Sequence, residues 1–459
     1  KKMQNNNKIL LLLLNWLIYL FPLFYILGNF FINASVALIS ITGLTLYRWK
    51  IFDFKKDNFL ILISAFFLII IISTFFESIS NPGNVKFYKS IIFLRYFILL
   101  LVVRYALINN HINLKKFLIS CLICSSFISL DVILQFITGK NIVGLKSTAL
   151  HRSSFFGSEL IAGGFIQRFA VLGFFITLIT FKKNYLKVIF STTFLLVCFL
   201  GAFYSGNKMP AFILIIFSLV ILAFLLFNLK IYKNKIFVLS SIIVLVLAFF
   251  EGKKFEGAVS NMLKDTYFFS QSNTFKGAIP NLKIIYSEAS KEYPELDKYK
   301  GKTYFHYTEE YKDKEKYRDV KQWSVYNHIY ITSLDLFFEK PLTGRGIKSF
   351  RETCKEKVHL PNRICTTHQH NYHLQLLNDT GLVGYLVFFG VIFFLVLKSL
   401  RKKNSKLDIY LYAVLFALII EFFPIRSAGG FFSTTNASYI FLLMGMFLGL
   451  KNFKNIFLK

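Results

Sequence analysis

"NFLILISAFFLIIIISTFF", residues 58–76, holds no charged side chain, and its polar positions are confined to Asn58, Ser64, Ser73 and Thr74. A helix that crosses lipid needs about 20 such residues, because hydrocarbon offers no partner to an open backbone N–H or C=O. Runs of the same kind lie near 9–28, 31–47, 90–108, 117–137, 161–180, 187–204, 210–229, 236–250, 382–397, 408–423 and 437–450, twelve in all. The chain of 459 residues is 55% hydrophobic and 18% aromatic and carries 56 Phe, more apolar matter than one soluble core can hold. The expected fold class is therefore an all-α membrane protein with about 12 transmembrane helices. The first run follows a short basic stretch but has many partners, so it reads as a retained span and not as a cleaved signal peptide.

Orientation follows from the short connections. One alternate set is strongly basic, as at Arg48, Lys50, Lys55 and Lys56, or at Lys398, Arg401, Lys402, Lys403 and Lys406. The other set holds only Lys86, Lys89, Lys140, Lys146, Arg152, Lys208 and Arg426. The first set, with both termini, is expected in the cytoplasm. The formal charge of +30 is then mostly a topology signal, and no helix-turn-helix or RNA-binding motif accompanies it, so no nucleic-acid partner is expected.

Residues 251–366 break the pattern with a long polar connection that holds most of the acidic residues. The expected organisation is 1–250 for the first nine spans, 251–366 for one large periplasmic loop with short helices, and 367–459 for the last three spans and their entry. Within the loop, "WSVYNHIYITSLDLFFEKPLTGRG" returns apolar residues at helical spacing and ends at Pro341 and Gly344, which predicts a helix on the membrane face. The D-x-E at Asp313 to Glu315 stands in a Lys-rich stretch and reads as solvated. Cys121, Cys124 and Cys198 fall inside spans as buried apolar residues, whereas Cys354 and Cys365 lie in the loop, where an oxidising exterior would bond them. The other reading, two metal ligands beside His368 and His370, lacks the paired spacing of a zinc site.

Charges within spans are costly and tend to mark a site. Arg95, Asp131, Arg168 and Glu421 all fall in the exoplasmic half of the predicted topology, either as a functional set or as pairs that hold the bundle together. Arg152, Lys208 and Arg426 add cations in short outer connections, each of which also reads as an interfacial snorkelling residue. Taken together they describe a basic outer cavity suited to a lipid-bound diphosphate. Nearby, "CTTHQHNYHLQLLNDTGLVGYL" at 365–386 places three histidines at the mouth of a span. Thr366 and Thr367 are expected to cap a helix that begins near His368, with His370 in its first turn, where the helix N-terminus disfavours imidazolium. His370 is the candidate base; His368 and His373 are expected to be supporting or structural.

"HN", nine residues, then "GLVG", that is His370, Asn371, Gly381 and Gly384, resembles the signature of the bacterial O-antigen ligase and O-antigen polymerase superfamily. "PLTGRGIKSFR", "SGNK", "FPIRSAGGFF" and the twelve-span plan extend the resemblance over most of the chain. It implies a GT-C-like glycosyltransferase of the inner membrane that uses no metal or cofactor. The reaction moves a glycan from undecaprenyl diphosphate to a lipid A–core or glycan acceptor on the periplasmic side, among membrane lipids. Where the family usually has Arg, this chain has Lys208, a point cation without bidentate geometry, so donor binding leans on Arg95, Arg152, Arg168 or Arg345. His370 would take the proton of the incoming hydroxyl and the cations would hold the leaving diphosphate, with Asn371, Asp131, His368 and Arg426 in support. The short 138–160 connection favours a ligase over a polymerase, and the outward bias of the charges argues against a lipid-linked-sugar transporter.

Overall fold

The computed structural model describes residues 2–53, 58–83, 85–146, 152–157, 161–181, 183–229, 325–357, 363–401, 409–424, 426 and 429–456. Among them the regular structure is helical, with an isolated bridge between Lys140 and Lys146. Each predicted apolar run coincides with a helix except 236–250, which lies outside the described residues, as do Asp313, Glu315 and the loop as far as residue 324. The helices are α1 (Lys2–Tyr19), α2 (Phe21–Leu27), α3 (Asn29–Tyr47), α4 (Asn58–Ser80), α5 (Tyr88–Ile108), α6 (Leu114–Thr138) and α7 (Ala162–Thr180). They continue with α8 (Asn184–Tyr204), α9 (Lys208–Leu229), α10 (Val325–Glu339), α11 (Phe350–Thr353), α12 (Tyr372–Arg401), α13 (Ile409–Glu421) and α14 (Thr434–Ile456). Among the described residues, seven helices are long and apolar enough to cross a membrane, or eight with α1 and α2 counted as one span bent by 59°. The bend falls where Pro22 enters α2 and cannot donate to the preceding turn.

The outer surface is what lipid would cover: Phe30, Ile61, Phe76, Ile123 and Ile137 point outward and are exposed. Inside, α7 is almost wholly enclosed by α6, α8, α9 and α13. Helix α14 lies along α5, where the Phe441 ring centroid is 5.8 Å from Phe93 in an edge contact and 6.3 Å from Tyr96 in a stacked one, and 5.0 Å from Phe67 of α4 in a tilted one. Cys121, Cys124 and Cys198 are buried and free.

Helix α10 ends ahead of Pro341, as the sequence predicts, and packs against α12. After it, residues 340–349 form a strap across a break in α12 at Gly381, whose φ of 67° and ψ of −177° are not helical. In an unbroken helix the Leu382 N–H would donate to the Asn378 carbonyl. Here it donates to Pro341 O (2.7 Å), and Asn378 O accepts instead from Arg345 N (2.8 Å). Gly346 N donates to Asp379 O (2.9 Å), so the strap satisfies the carbonyls that the break releases. A small second core forms around Ile329, Leu336, Phe350, Ile364 and the bonded pair Cys354 and Cys365, whose Cα atoms are 5.1 Å apart.

Candidate active site

A cavity of about 710 Å³ opens among connections that the charge pattern assigns to the outer side. Lys86 reaches it from between α4 and α5, Lys89 from the first turn of α5, Asn207 from between α8 and α9, Lys348 from the strap, and Arg426 from between α13 and α14. His368 lines it as well, from the segment that leads into α12. Much of its apolar lining comes from Tyr25 of α2, Phe165 of α7, and Met209, Pro210 and Ile213 of α9. Arg168, one turn along α7 from Phe165, lines it too.

Arg168 is anchored by a dense polar set. It donates to both carboxylate oxygens of Glu421 (3.1 and 2.5 Å), to Tyr372 OH (2.9 Å) and to Asn436 Oδ1 (2.6 Å). Arg426 donates to the same carboxylate (2.5 Å), so two guanidinium groups share one buried acid and leave a net positive charge at the cavity. A buried carboxylate in a helical bundle needs such partners to stay ionised. One arrangement thus ties α7 to α13 and places two guanidinium groups at the cavity.

The other predicted cations stand elsewhere. Arg95 donates to Tyr96 OH (2.7 Å), lies over that ring, and does not line the cavity. Arg152 covers the Phe136 ring at 4.9 Å, away from the cavity wall. Lys208 is exposed at the start of α9 and, unlike its neighbours Asn207 and Met209, is not on the wall. Arg345 is buried in ion pairs with Glu77 and Glu339 and donates to Leu336 O (3.2 Å), so it ties the strap down and is not free for a ligand. Asp131 accepts from Ser154 Oγ (2.5 Å) and Ile142 N (2.8 Å), which fastens the connection after α6. Sequence position gave each of these residues its depth but not its direction.

The helix that carries the histidine motif also starts later than expected. Asn371 is its cap: its Oδ1 accepts from His373 N (2.9 Å) and Leu374 N (3.2 Å), while its Nδ2 donates to Pro424 O (2.8 Å). Thr366 and Thr367 cap nothing; Thr366 Oγ1 donates to His368 O (2.7 Å), and Thr367 Oγ1 shares a hydrogen bond with His368 Nδ1 (2.9 Å). His370 therefore precedes the helix, with a left-handed φ of 56° that turns its ring back onto His368 and Tyr326, 4.1 and 5.4 Å between centroids. Withdrawal from water, and then the His368 ring, holds the His370 imidazole down at about 4, and burial lowers His368 as well. His368 Nε2 is buried without a hydrogen-bond partner. His373 is structural, bound to Tyr385 OH and Phe422 O (3.0 Å each) and stacked on Phe389 at 4.5 Å.

Lys86, Lys89, Lys348 and Arg351 line the cavity although the sequence reading left them out of the site. The first two were legible only as topology charges, and Lys348 and Arg351 only as members of "PLTGRGIKSFR". Among the described residues no three His, Cys, Asp or Glu side chains group together as metal ligands.

Residues 193–389 match the family model described as O-antigen ligase, and no curated protein matches the chain. The match supports the O-antigen ligase and polymerase superfamily. That family implies a lipid-linked glycan and an acceptor as substrates in general, and the apolar helices of this chain are, by length and composition, those of a multi-pass membrane protein.

Proposed function

With an O-antigen ligase domain as premise, we propose that this chain moves a glycan from undecaprenyl diphosphate to a lipid A–core acceptor at the periplasmic face, with both termini cytoplasmic. The observation that carries the reading is the mixed lining of the cavity: apolar residues of α2, α7 and α9 that would take the prenyl chain, together with Arg168 and Arg426 for the diphosphate. The acceptor oxygen attacks the sugar carbon, the bond from that carbon to the diphosphate oxygen breaks, and the leaving diphosphate takes the electron pair. The proton of the acceptor hydroxyl passes to histidine.

His370 is proposed as that base, as its place in the "HN" motif implies; it does not itself line the cavity, but its ring lies 4.1 Å from that of His368, which does. Neutral imidazole is ready to accept a proton, and an anionic substrate nearby raises its basicity toward the working range. Purified protein given lipid-linked glycan and lipid A–core tests the assignment directly. Loss of transfer in His370→Ala with retention in His368→Ala supports it, whereas the reverse moves the base to His368.

A polymerase of the same superfamily, using another repeat unit as acceptor, is the second reading. Glycan profiles of a deletion strain separate the two. Loss of long chains from lipid A–core with lipid-linked polymer accumulating means ligase; capping by single repeats means polymerase.

A further inference from the structure

The cations on the cavity wall fall into two groups with different bonding. Arg168 and Arg426 share Glu421. Lys86, Lys89, Lys348 and Arg351 come from the α4–α5 connection, the start of α5, the strap and α11, and none of their side chains forms an ion pair among the described residues. Glu352, the acid beside them, is engaged by Lys355 at 2.6 Å. Four such cations against one acid on the same lining, Glu352, leave an excess of positive charge that favours any anion that enters.

Lys348 is held in this group by its backbone. Its φ of 58° lies in the left-handed region that glycine or asparagine adopts more readily, and its N–H donates to the buried Asp379 carboxylate (3.1 Å) on the histidine helix. Partial loss of solvent, followed by the like charges of Lys89 and Arg95, pushes the Lys348 ammonium down, as expected of cations crowded together. A lysine in a glycine-like conformation, on a crowded cationic wall, is a costly arrangement for a residue with no ligand.

Arg168 lies one turn along α7 from Phe165 of the apolar lining, so a lipid-linked diphosphate whose chain lies there meets the arginine pair first. We propose that Lys86, Lys89, Lys348 and Arg351 form a second anion site, which takes phosphate or carboxylate groups carried by the glycan acceptor. The word acceptor rests on the transfer reading above; the anion site does not.

Two probes test it by direct binding to the full chain in nanodiscs at low salt: deacylated lipid A–core oligosaccharide and the same material after phosphatase treatment. Wild type is expected to hold the phosphorylated probe roughly tenfold tighter, and Lys348→Gly and Lys89→Ser to lose most of that difference. Gly suits the left-handed backbone, so Lys348→Gly removes the charge without straining the fold. Affinity for undecaprenyl diphosphate is expected to stay unchanged in both variants. Equal affinity of wild type for the two probes overturns the site, and so does a variant that loses undecaprenyl diphosphate while keeping the phosphorylated probe. A wild type that discriminates the probes but transfers no glycan leaves the site standing and overturns the transfer reading instead.

Discussion

Gly344 and Gly381 meet backbone to backbone: a Cβ on Gly344 would lie 2.4 Å from the Gly381 nitrogen, and one on Gly381 would lie 2.1 Å from Leu342 O. Both have positive φ, 69° and 67°. This contact locks the strap to the break in α12, and through it sets the position of Lys348 and the segment that enters the cavity.

Gly344→Ala or Gly381→Ala should therefore destabilise by about 3 kcal/mol or more, the sum of left-handed backbone cost and overlap. Gly390→Ala is the control, since a Cβ there meets nothing within 4 Å. Thermal unfolding in detergent should show a lower midpoint for the first two variants and an equal or higher one for the third. Three equal midpoints would refute the contact.

Arg168→Ala should be the most damaging of the arginine variants. It strips the bidentate partner from buried Glu421, which costs about 3–5 kcal/mol in comparable pairs, and it also weakens use of the diphosphate-linked donor. Arg152→Ala should keep the donor KM near the wild-type value, because Arg152 packs on Phe136 and is off the cavity wall. Equal donor KM in the two purified variants would remove Arg168 from the site.

His370→Ala should lower transfer by about 10²- to 10⁴-fold, the usual loss of a general base, with normal membrane insertion. His373→Ala should act on stability instead, through the lost bonds to Tyr385 and Phe422. A His370→Ala protein that transfers at the wild-type rate would exclude the assignment.

The pH dependence follows from the depressed His370 imidazole. Its ring stays neutral until pH falls through about 4, so the acid limb of kcat/KM for the free enzyme should lie well below the usual histidine value of about 6.5. The sign for stability is also set. Between about 6.5 and 4 the unfolded chain binds a proton that the folded chain refuses, so this group costs stability as pH falls through that window. An acid limb at the ordinary histidine value, read from kcat/KM against pH, would contradict the burial of this ring.

Cys354 and Cys365 are bonded eleven positions apart and should resist alkylation until reductant is added. Closing a loop of that size contributes about 2 to 3 kcal/mol by loop-entropy estimates. Mass spectrometry of alkylated protein from an oxidising compartment should find Cys121, Cys124 and Cys198 reduced and this pair protected. Modification of both without reductant would show that the bond is not formed.

Sequence alone determined the class, the positions of the apolar helices and the histidine motif, because burial in lipid demands long apolar runs and a lone cluster of polar residues at their mouth stands out. It also marked Arg168 and Glu421, since a charge inside a span is rare enough to notice. What it could not decide was direction. Arg95, Arg152, Lys208 and Arg345 are cations of the same outer half as Arg168 in the sequence reading, yet each turns to a ring, to solvent or to an acid, because helix rotation and loop path are set by packing between distant segments. Asn371, and not the threonines before it, caps the helix, because the chain turns left-handed at His370. The lysine wall was invisible for the same reason. Lys86, Lys89 and Lys348 are hundreds of residues apart at the extremes, and only the strap across Gly381 brings them to one cavity.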